Sequence, residues 1–158
     1  PELNARELEA NVSMREDIRR ALNDGMPCLA ECGGFMYLHD EMEAMDGNSY
    51  HMAGVISDRA YRTQRLNRFG YVTLTQKKEV FGMNDMGGIP AHEFHYFDSE
   101  NCGDDFEAKK PASHRKWDCI HGTDTMMAGF PHLYFYGNPK VPEAFLRKCS
   151  QYGRQDAR

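Results

Sequence analysis

Apolar residues near the start of the chain recur with the period of a helix. The residues that share this face are Met14, Ile18, Ala21 and Leu22. Ser13, followed three positions later by Glu16, matches the pattern that caps a helix N-terminus, and Gly25 stands where helices commonly end. We therefore predict an amphipathic helix over residues 13–24.

The next segment combines a short apolar run with a pair of glycines. Residues 26–31 are mostly apolar, which is typical of a buried strand in a parallel sheet. Cys32, Gly33 and Gly34 then predict a tight turn, and a second helix is predicted over residues 35–45. The order helix, strand, turn, helix is typical of a doubly wound α/β domain.

Short strands separated by polar, glycine-rich segments are predicted for the rest of the chain. They cover residues 70–75, 93–97, 116–120 and 132–136. We expect the first three to form an antiparallel layer or an irregular extension. Residues 137–139 end the last strand, and Pro142 opens a final helix. Its apolar face comprises Phe145, Leu146, Cys149 and Tyr152, and the polar tail from Gly153 is predicted to fray.

Cys32 is the strongest candidate for a catalytic residue. A sharp turn between a buried strand and a helix lifts a side chain out of the sheet, as in nucleophile elbows. A helix N-terminus favours the thiolate, so we expect a lowered thiol pKa, and the Gly33 N–H is placed to bind an oxyanion. The alternative interpretation is a buried structural cysteine.

A cysteine nucleophile requires a base, and the chain has seven histidines. His132 begins a predicted strand, whereas His92 and His95 would face opposite sides of another strand, which argues against a metal site formed by that pair. Spacing alone leaves both His132 and His95 open as the base. The remaining histidines are interpreted as solvated or capping residues: His39, His51, His114 and His121.

Composition narrows the class of protein. A chain of 158 residues is long enough for one domain with a core. The net charge of −5, without a basic stripe, argues against a nucleic-acid partner. No apolar run approaches the roughly 20 residues that span a bilayer, and no secretory signal is visible. The five cysteines lack zinc-site spacing, so we expect a cytoplasmic protein without a bound metal.

Several segments resemble one enzyme family. Residues 30–38, AECGGFMYL, closely resemble the nucleophile motif of the cobyrinic acid a,c-diamide synthases. Similar blocks follow in the family's order over residues 52–55, 69–71, 92–96 and 132–139. Residues 1–3 resemble the end of the family's GGxPE segment, so the resemblance covers almost the whole chain.

The resemblance implies a fold and a reaction. The implied fold is the class I glutamine amidotransferase sandwich, with a mainly parallel central sheet flanked by helices and an antiparallel extension. The implied reaction is the release of ammonia from glutamine by Cys32, with His132 as general base and acid. The family would place Glu31, Gly33 and Gly34 at the oxyanion or substrate. Residues that would support the catalytic pair are Glu93, His95 and Tyr134.

The resemblance also implies what lies beyond this domain. Residues 1–158 would form one glutaminase domain that lacks its first strand and the glycines of the GGxPE segment. The expected partner is an ATP-binding synthetase domain, which would bind ATP and Mg²⁺ and amidate the a and c carboxylates of cobyrinic or hydrogenobyrinic acid. This chain itself is expected to bind glutamine and no cofactor. An open sheet edge would invite association between copies.

One position departs from the pattern. Related amidotransferases often carry a glutamate two residues after the catalytic histidine, where this chain has Tyr134. A Cys–His dyad is therefore expected, with Glu93 or a backbone carbonyl to orient His132. Three alternatives stay open: another tetrapyrrole amidotransferase acting on cobyric acid precursors or sirohydrochlorin, a binding domain that has lost activity, and a thiol hydrolase.

Overall fold

The computed structural model describes residues 1–155, which form a mixed α/β domain. The α-helices of this part are α1 (Ala5–Ala10), α2 (Val12–Asn23), α3 (Gly33–Tyr37) and α4 (Lys140–Gln155). The strands are β1 (Cys28–Glu31), β2 (His39–Glu43), β3 (Ser49–His51), β4 (Ile56–Arg62), β5 (Arg68–Gln76), β6 (Ile89–His95), β7 (Phe97–Ser99), β8 (Phe106–Lys109), β9 (Lys116–Cys119), β10 (His121–Gly122), β11 (Met126–Gly129) and β12 (His132–Leu133). A 3-10 turn covers Phe135–Gly137.

A small sheet in the order β1-β11-β10 lies between two hydrophobic clusters. β1 runs parallel to β11, with Cys28 opposite Met126 and Glu31 opposite Gly129. Side chains alternate between the faces of a strand, so Met127 packs into one cluster and Ala128 into the other. The end of β1, where Cys32 follows, is thereby held between two packed layers.

An antiparallel sheet in the order β12-β6-β5-β8-β9 forms the second layer. One face buries Val72, Leu74 and Ile89 in the cluster that also takes Val141 and Ala144 from α4. The opposite face is open to solvent. Because only one face is packed, buried and more exposed side chains alternate along β5 and β6.

A third sheet, β3-β2-β4-β7, covers the cluster that contains Ala128, which we call the first cluster. Its buried side chains include Met42, Ile56 and Ala60, which pack with Phe35 of α3. β2 pairs in parallel with β4 and antiparallel with β3.

Several predicted elements are confirmed, with shifted ends. The first predicted helix corresponds to α2. Asn11 rather than Ser13 caps it, because the Asn11 side chain accepts the Met14 N–H at 3.3 Å. Met14 lies half exposed instead of on the buried face. β1 is parallel, as expected. On α4, Leu146 is exposed, and Val141 and Ala144 provide the buried contacts instead.

Three predictions about elements are wrong. The helix predicted over residues 35–45 ends at Tyr37, because His39–Glu43 pairs with two strands as β2. The strand predicted over residues 132–136 stops at Leu133 and gives way to the 3-10 turn. The predicted strand over residues 93–97 is split, because β6 ends at His95 and β7 begins at Phe97.

A mainly parallel central sheet is not confirmed. In the described residues only the pairs β1–β11 and β2–β4 are parallel, and the other strand pairs are antiparallel. Parallel pairing requires a crossover of a dozen or more residues, whereas most consecutive strands here are joined by shorter segments.

Candidate active site

Cys32 has the backbone geometry of a nucleophile elbow. It follows β1 directly and occupies the N-cap position of α3, with φ 48° and ψ −105°. A positive φ is uncommon for a residue other than glycine, and such strain concentrates at functional sites. The Cys32 N–H donates to the Gly129 carbonyl at 2.8 Å, and the Met36 N–H donates to the Cys32 carbonyl at 2.9 Å. These two bonds hold the turn from both sides.

The two glycines after Cys32 differ in the room that their surroundings leave for a side chain. A Cβ atom on Gly33 would lie 2.7 Å from Cδ of Pro1, which is too close for any side chain. A Cβ atom on Gly34 would lie 3.6 Å from Cβ of Ala30, an ordinary contact. Close packing against Pro1 therefore requires glycine at residue 33, whereas a Cβ atom at residue 34 would make only an ordinary contact.

The Cys32 thiol is not pre-ionised. Burial raises the pKa of the Cys32 thiol, and the charges of Glu2 and Glu31 act in the same direction, while a hydrogen bond from the Gly33 N–H opposes them. The expectation of a lowered thiol pKa is therefore wrong. The Gly33 N–H lies in the first turn of α3, a helix of five residues, and its hydrogen bond does not outweigh the burial. The thiol needs a base at neutral pH.

Cys32 opens into a cavity of about 630 Å³. The volume is ample for an amino acid, and the walls combine apolar side chains with a few polar groups. The lining residues are Pro1, Glu2, Cys32, Gly33, Met36, Met45, Arg62, Phe94, His95, Tyr96 and Phe97. The N–H of Gly33 already contacts the thiol, so it lies where an oxyanion on a substrate bound to Cys32 would form.

His132 lies beside the residue that precedes the nucleophile. Its Nδ1 is 3.6 Å from Oε2 of Glu31, and the N–H of Leu133 donates to Oε1 of the same carboxylate at 3.0 Å. The His132 side chain is 47% exposed and stands outside the cavity lining. In the described residues no hydrogen bond joins it to the Cys32 thiol. Catalytic hydrogen bonds are often long without substrate and tighten when substrate binds.

His95, the other candidate base, lies in the cavity wall but is held in place by its neighbours. Its Nδ1 donates to the Phe97 carbonyl at 2.7 Å, and its ring stacks on Phe130 at 4.2 Å. Its Nε2 faces Oε2 of Glu93 at 3.8 Å. Both side chains are buried, and these facing atoms have no hydrogen-bond partner. Glu93 thus contacts His95 rather than orienting His132.

Tyr134 is placed near the site only through its backbone. Its N–H donates to the Pro90 carbonyl at 2.9 Å, while its side chain is 58% exposed and lies 6.2 Å from the Tyr136 ring. Neither contact orients the His132 ring. The carboxylate that faces the His132 ring is that of Glu31.

An exposed aromatic surface borders the site and was not predicted. It consists of Phe69, Tyr71, His92, Phe94 and Tyr96, which we call the aromatic face. Tyr71 pairs with His92 and His92 with His132, so the candidate base lies on this face. The signal in the sequence was an alternation in which exposed aromatics interleave with buried residues such as Val72 and Ala91.

His39 corrects one sequence interpretation. It was expected to be solvated or capping, yet it is fully buried. Its Nδ1 donates to the Phe35 carbonyl at 2.9 Å, so its Nε2 accepts from Ser99 Oγ at 2.7 Å. Burial lowers the pKa of His39. His51 is exposed, as expected, and the Nε2 of His121 donates to the Asn101 carbonyl at 2.9 Å.

Residues 1–155 lack two features, a metal-binding cluster and a helix that could cross a membrane. No group of three or more His, Cys, Asp and Glu side chains in this range is arranged to hold a metal ion. None of the helices in this range has both the length and the apolarity to cross a membrane.

Comparison with known proteins identifies relatives. Residues 1–139 match the family described as a CobB/CobQ-like glutamine amidotransferase domain. A cobyrinate a,c-diamide synthase of Caldanaerobacter subterraneus subsp. tengcongensis is 35% identical over 98% of this chain and 35% of the relative. Those of Fusobacterium nucleatum and Picrophilus torridus are 38% and 36% identical over 90% and 94% of this chain, and over 32% of each relative. The chain thus spans about a third of the length of the curated relatives it matches.

Proposed function

This chain belongs to the CobB/CobQ-like glutamine amidotransferase domain family, and on that basis we propose that it hydrolyses glutamine with Cys32 as nucleophile and His132 as base. The observation that carries the proposal is the strained backbone of Cys32 between β1 and α3, in the lining of a cavity large enough for an amino acid. A buried structural cysteine has no need of this conformation.

The proposed chemistry proceeds in two steps. His132 takes the thiol proton, and Cys32 Sγ attacks the side-chain amide carbon of glutamine while the Gly33 N–H stabilises the oxyanion. The C–N bond then breaks, and His132 returns the proton to the departing ammonia. In the second step His132 takes a proton from water, whose oxygen attacks the thioester, and glutamate and the free thiol are formed. The raised pKa of the thiol is the reason that the first proton transfer is needed.

Steady-state hydrolysis of glutamine tests this proposal. The full-length protein should release glutamate and ammonia, and Cys32→Ser should lower kcat by at least about a thousandfold because the nucleophile is lost. His132→Ala should lower kcat by about 10²–10⁴-fold. Cys28→Ser is the matched control, because Cys28 begins the strand that precedes Cys32 and packs against the cluster that contains Ala128, and this variant should retain activity. Absence of hydrolysis in the full-length protein would favour a binding domain without activity.

We further propose that the whole protein amidates the a and c carboxylates of cobyrinate. The relatives carry the name cobyrinate a,c-diamide synthase, and they are about three times as long as this chain. ATP and Mg²⁺ would be bound by the additional part, which would activate the carboxylates. Assay of the full-length protein with cobyrinate and with other tetrapyrrole acids would identify the acceptor, and amidation of sirohydrochlorin alone would contradict the proposal.

The aromatic face supports the proposal of a partner. Large exposed aromatic surfaces mark interaction sites, and Tyr and Phe are enriched in interface cores. This face carries His132 and borders the Cys32 cavity through Phe94 and Tyr96. A synthetase part seated there would keep water from the site where ammonia forms. β1 is moreover the edge strand of its sheet, and we propose that a further parallel strand pairs with it in the full-length protein.

A further inference from the structure

We propose that the Glu31 carboxylate positions the His132 ring and selects the nitrogen that carries its proton, an inference that rests on the proposed glutaminase reaction. Oε1 of Glu31 accepts the Leu133 N–H at 3.0 Å, and Oε2 lies 3.6 Å from His132 Nδ1. The first contact fixes the carboxylate against β12. The second places its other oxygen beside the imidazole.

Glu31 lies in the fold between the proposed nucleophile and the proposed base. It is the last residue of β1, where it pairs with Gly129, and Cys32 follows it. One carboxylate therefore links the strand that directly precedes the nucleophile to the strand that carries the base. The pair is partly exposed, with 47% of the His132 side chain and 29% of the Glu31 side chain accessible. A polar contact this exposed adds little to stability, so orientation is the effect to test.

The contact has a chemical consequence. A histidine that donates from Nδ1 to a carboxylate keeps Nε2 unprotonated, and the free Nε2 then accepts the proton of a nucleophile. Without substrate the Nδ1–Oε2 distance is slightly beyond hydrogen-bond range, and such contacts commonly shorten in the substrate complex. Glu31 would thus supply, from another strand, the carboxylate that Tyr134 cannot provide.

Glu93, the carboxylate that was expected to orient His132, does not fit this role. Glu93 and His92 are consecutive residues of β6, so their side chains lie on opposite faces of the sheet. His132 pairs with His92 and lies on its face, whereas Glu93 is buried against His95. A substrate-binding role for Glu31 was also expected from the sequence. A carboxylate already bonded to Leu133 and facing His132 favours positioning over substrate contact.

The test compares Glu31→Gln with two other variants of the full-length protein. Glutamine keeps an oxygen for the Leu133 N–H but removes the negative charge that faces His132. We expect kcat for glutamine hydrolysis to fall by about 10- to 100-fold, with KM within about twofold. Glu31→Asp, which retains the charge on a shorter side chain, should recover part of the loss. Glu9→Gln is the matched control, because Glu9 also accepts a backbone N–H, that of His51, at 2.8 Å, and should hydrolyse glutamine normally.

A second readout does not depend on activity. With ¹⁵N-labelled histidine, the ring nitrogens of His132 report which of them is protonated, and His132→Gln identifies the signal. We expect the Nδ1–H form to dominate in the wild-type protein and to lose population in Glu31→Gln. Unchanged tautomer populations, kcat equal to that of Glu9→Gln, or a rise in KM alone would each overturn the inference. A wild-type protein that does not hydrolyse glutamine would contradict the proposed function, while the tautomer measurement would still decide the role of Glu31.

Discussion

Cys32 keeps its strained backbone because neighbouring residues hold it. Its N–H is bonded to Gly129 and its carbonyl to Met36, while the turn that follows needs a residue without a side chain. Such strain costs on the order of 1–3 kcal/mol and is sustained only where the surroundings fix the conformation. The same contacts aim the Gly33 N–H at the thiol.

Gly33→Ala should therefore damage the site more than Gly34→Ala. The added methyl at residue 33 would meet Pro1 at 2.7 Å and displace the N–H that is proposed to bind the oxyanion, whereas at residue 34 it would meet Ala30 at 3.6 Å. Loss of one oxyanion donor costs about 10²–10³ in kcat, and we expect Gly33→Ala to approach that loss. Glutamine hydrolysis by the two full-length variants, each checked by circular dichroism, provides the comparison. Equal losses would contradict the steric argument.

At the residue scale, the sequence predicted which residues form the candidate site but not the surroundings of those residues. Cys32, Gly33 and the turn follow from a strand followed by glycines. The raised pKa of the thiol depends on burial by distant segments, including the cavity wall. The hydrogen bond from the Leu133 N–H to Glu31, which holds this carboxylate beside His132, joins residues 102 positions apart, and no local pattern encodes it.

The segment from α3 to β2 shows how tertiary pairing decides an element. Residues 35–45 combine apolar and polar residues in a pattern that favours a helix, yet β2 pairs with β3 and β4. His39 and Met42 point into the core, and the intervening side chains are exposed or half-buried. Because His39 is polar, its core position, and with it the strand, is not evident from the sequence. Its burial is sustained by hydrogen bonds at both ring nitrogens.

Loss of His39 should destabilise the fold and reduce its sensitivity to acid. At about pH 7.5, His39→Ala should cost about 1–3 kcal/mol, because Phe35 and Ser99 lose buried partners. Burial lowers the pKa of His39 in the folded protein, so below about pH 6.5 the unfolded chain binds the proton more readily. The stability that neutral His39 contributes above about pH 6.5 is therefore lost as the pH falls through the pKa of His39 in the folded protein.

Urea unfolding at about pH 7.5 and at about pH 5.5 measures this effect. The wild-type protein should lose stability over the interval, and His39→Ala should lose less. His114→Ala, at an exposed histidine, should behave like the wild-type protein. The same loss in wild type and His39→Ala would refute the assignment.

For the whole molecule, the main feature is an uncovered surface. The aromatic face exposes 60% of Phe69, 74% of Tyr71 and 50% of Phe94, beside a base that is half exposed. The sequence predicted antiparallel strands here, but which face packs on α4 depends on the complete arrangement. The resemblance predicted the family and the partner, while the location of this surface could be read only from the structure.

A photo-crosslinking amino acid at residue 71 of the full-length protein should form a bond to residues outside this domain. The proposed synthetase part would cover that side chain, and peptide mass spectrometry identifies the attachment point. The same probe at residue 146, on the exposed side of α4, is the control and should not give that cross-link. Cross-links between two copies of this domain would indicate a dimer interface, and cross-links confined to one copy would indicate a free surface. Either result would contradict the proposed docking.

Labelling of the full-length protein with a diazoketone analogue of glutamine tests the central claim most directly. Intact and peptide masses would locate the adduct, and His132→Ala would be labelled in parallel. We predict one adduct, on Cys32, that forms more slowly in His132→Ala. Cys102 and Cys119 should not react, because burial raises their thiol pKa to about 11 and about 12. An unlabelled Cys32, or labelling spread evenly over the cysteines, would contradict a glutaminase site at this turn.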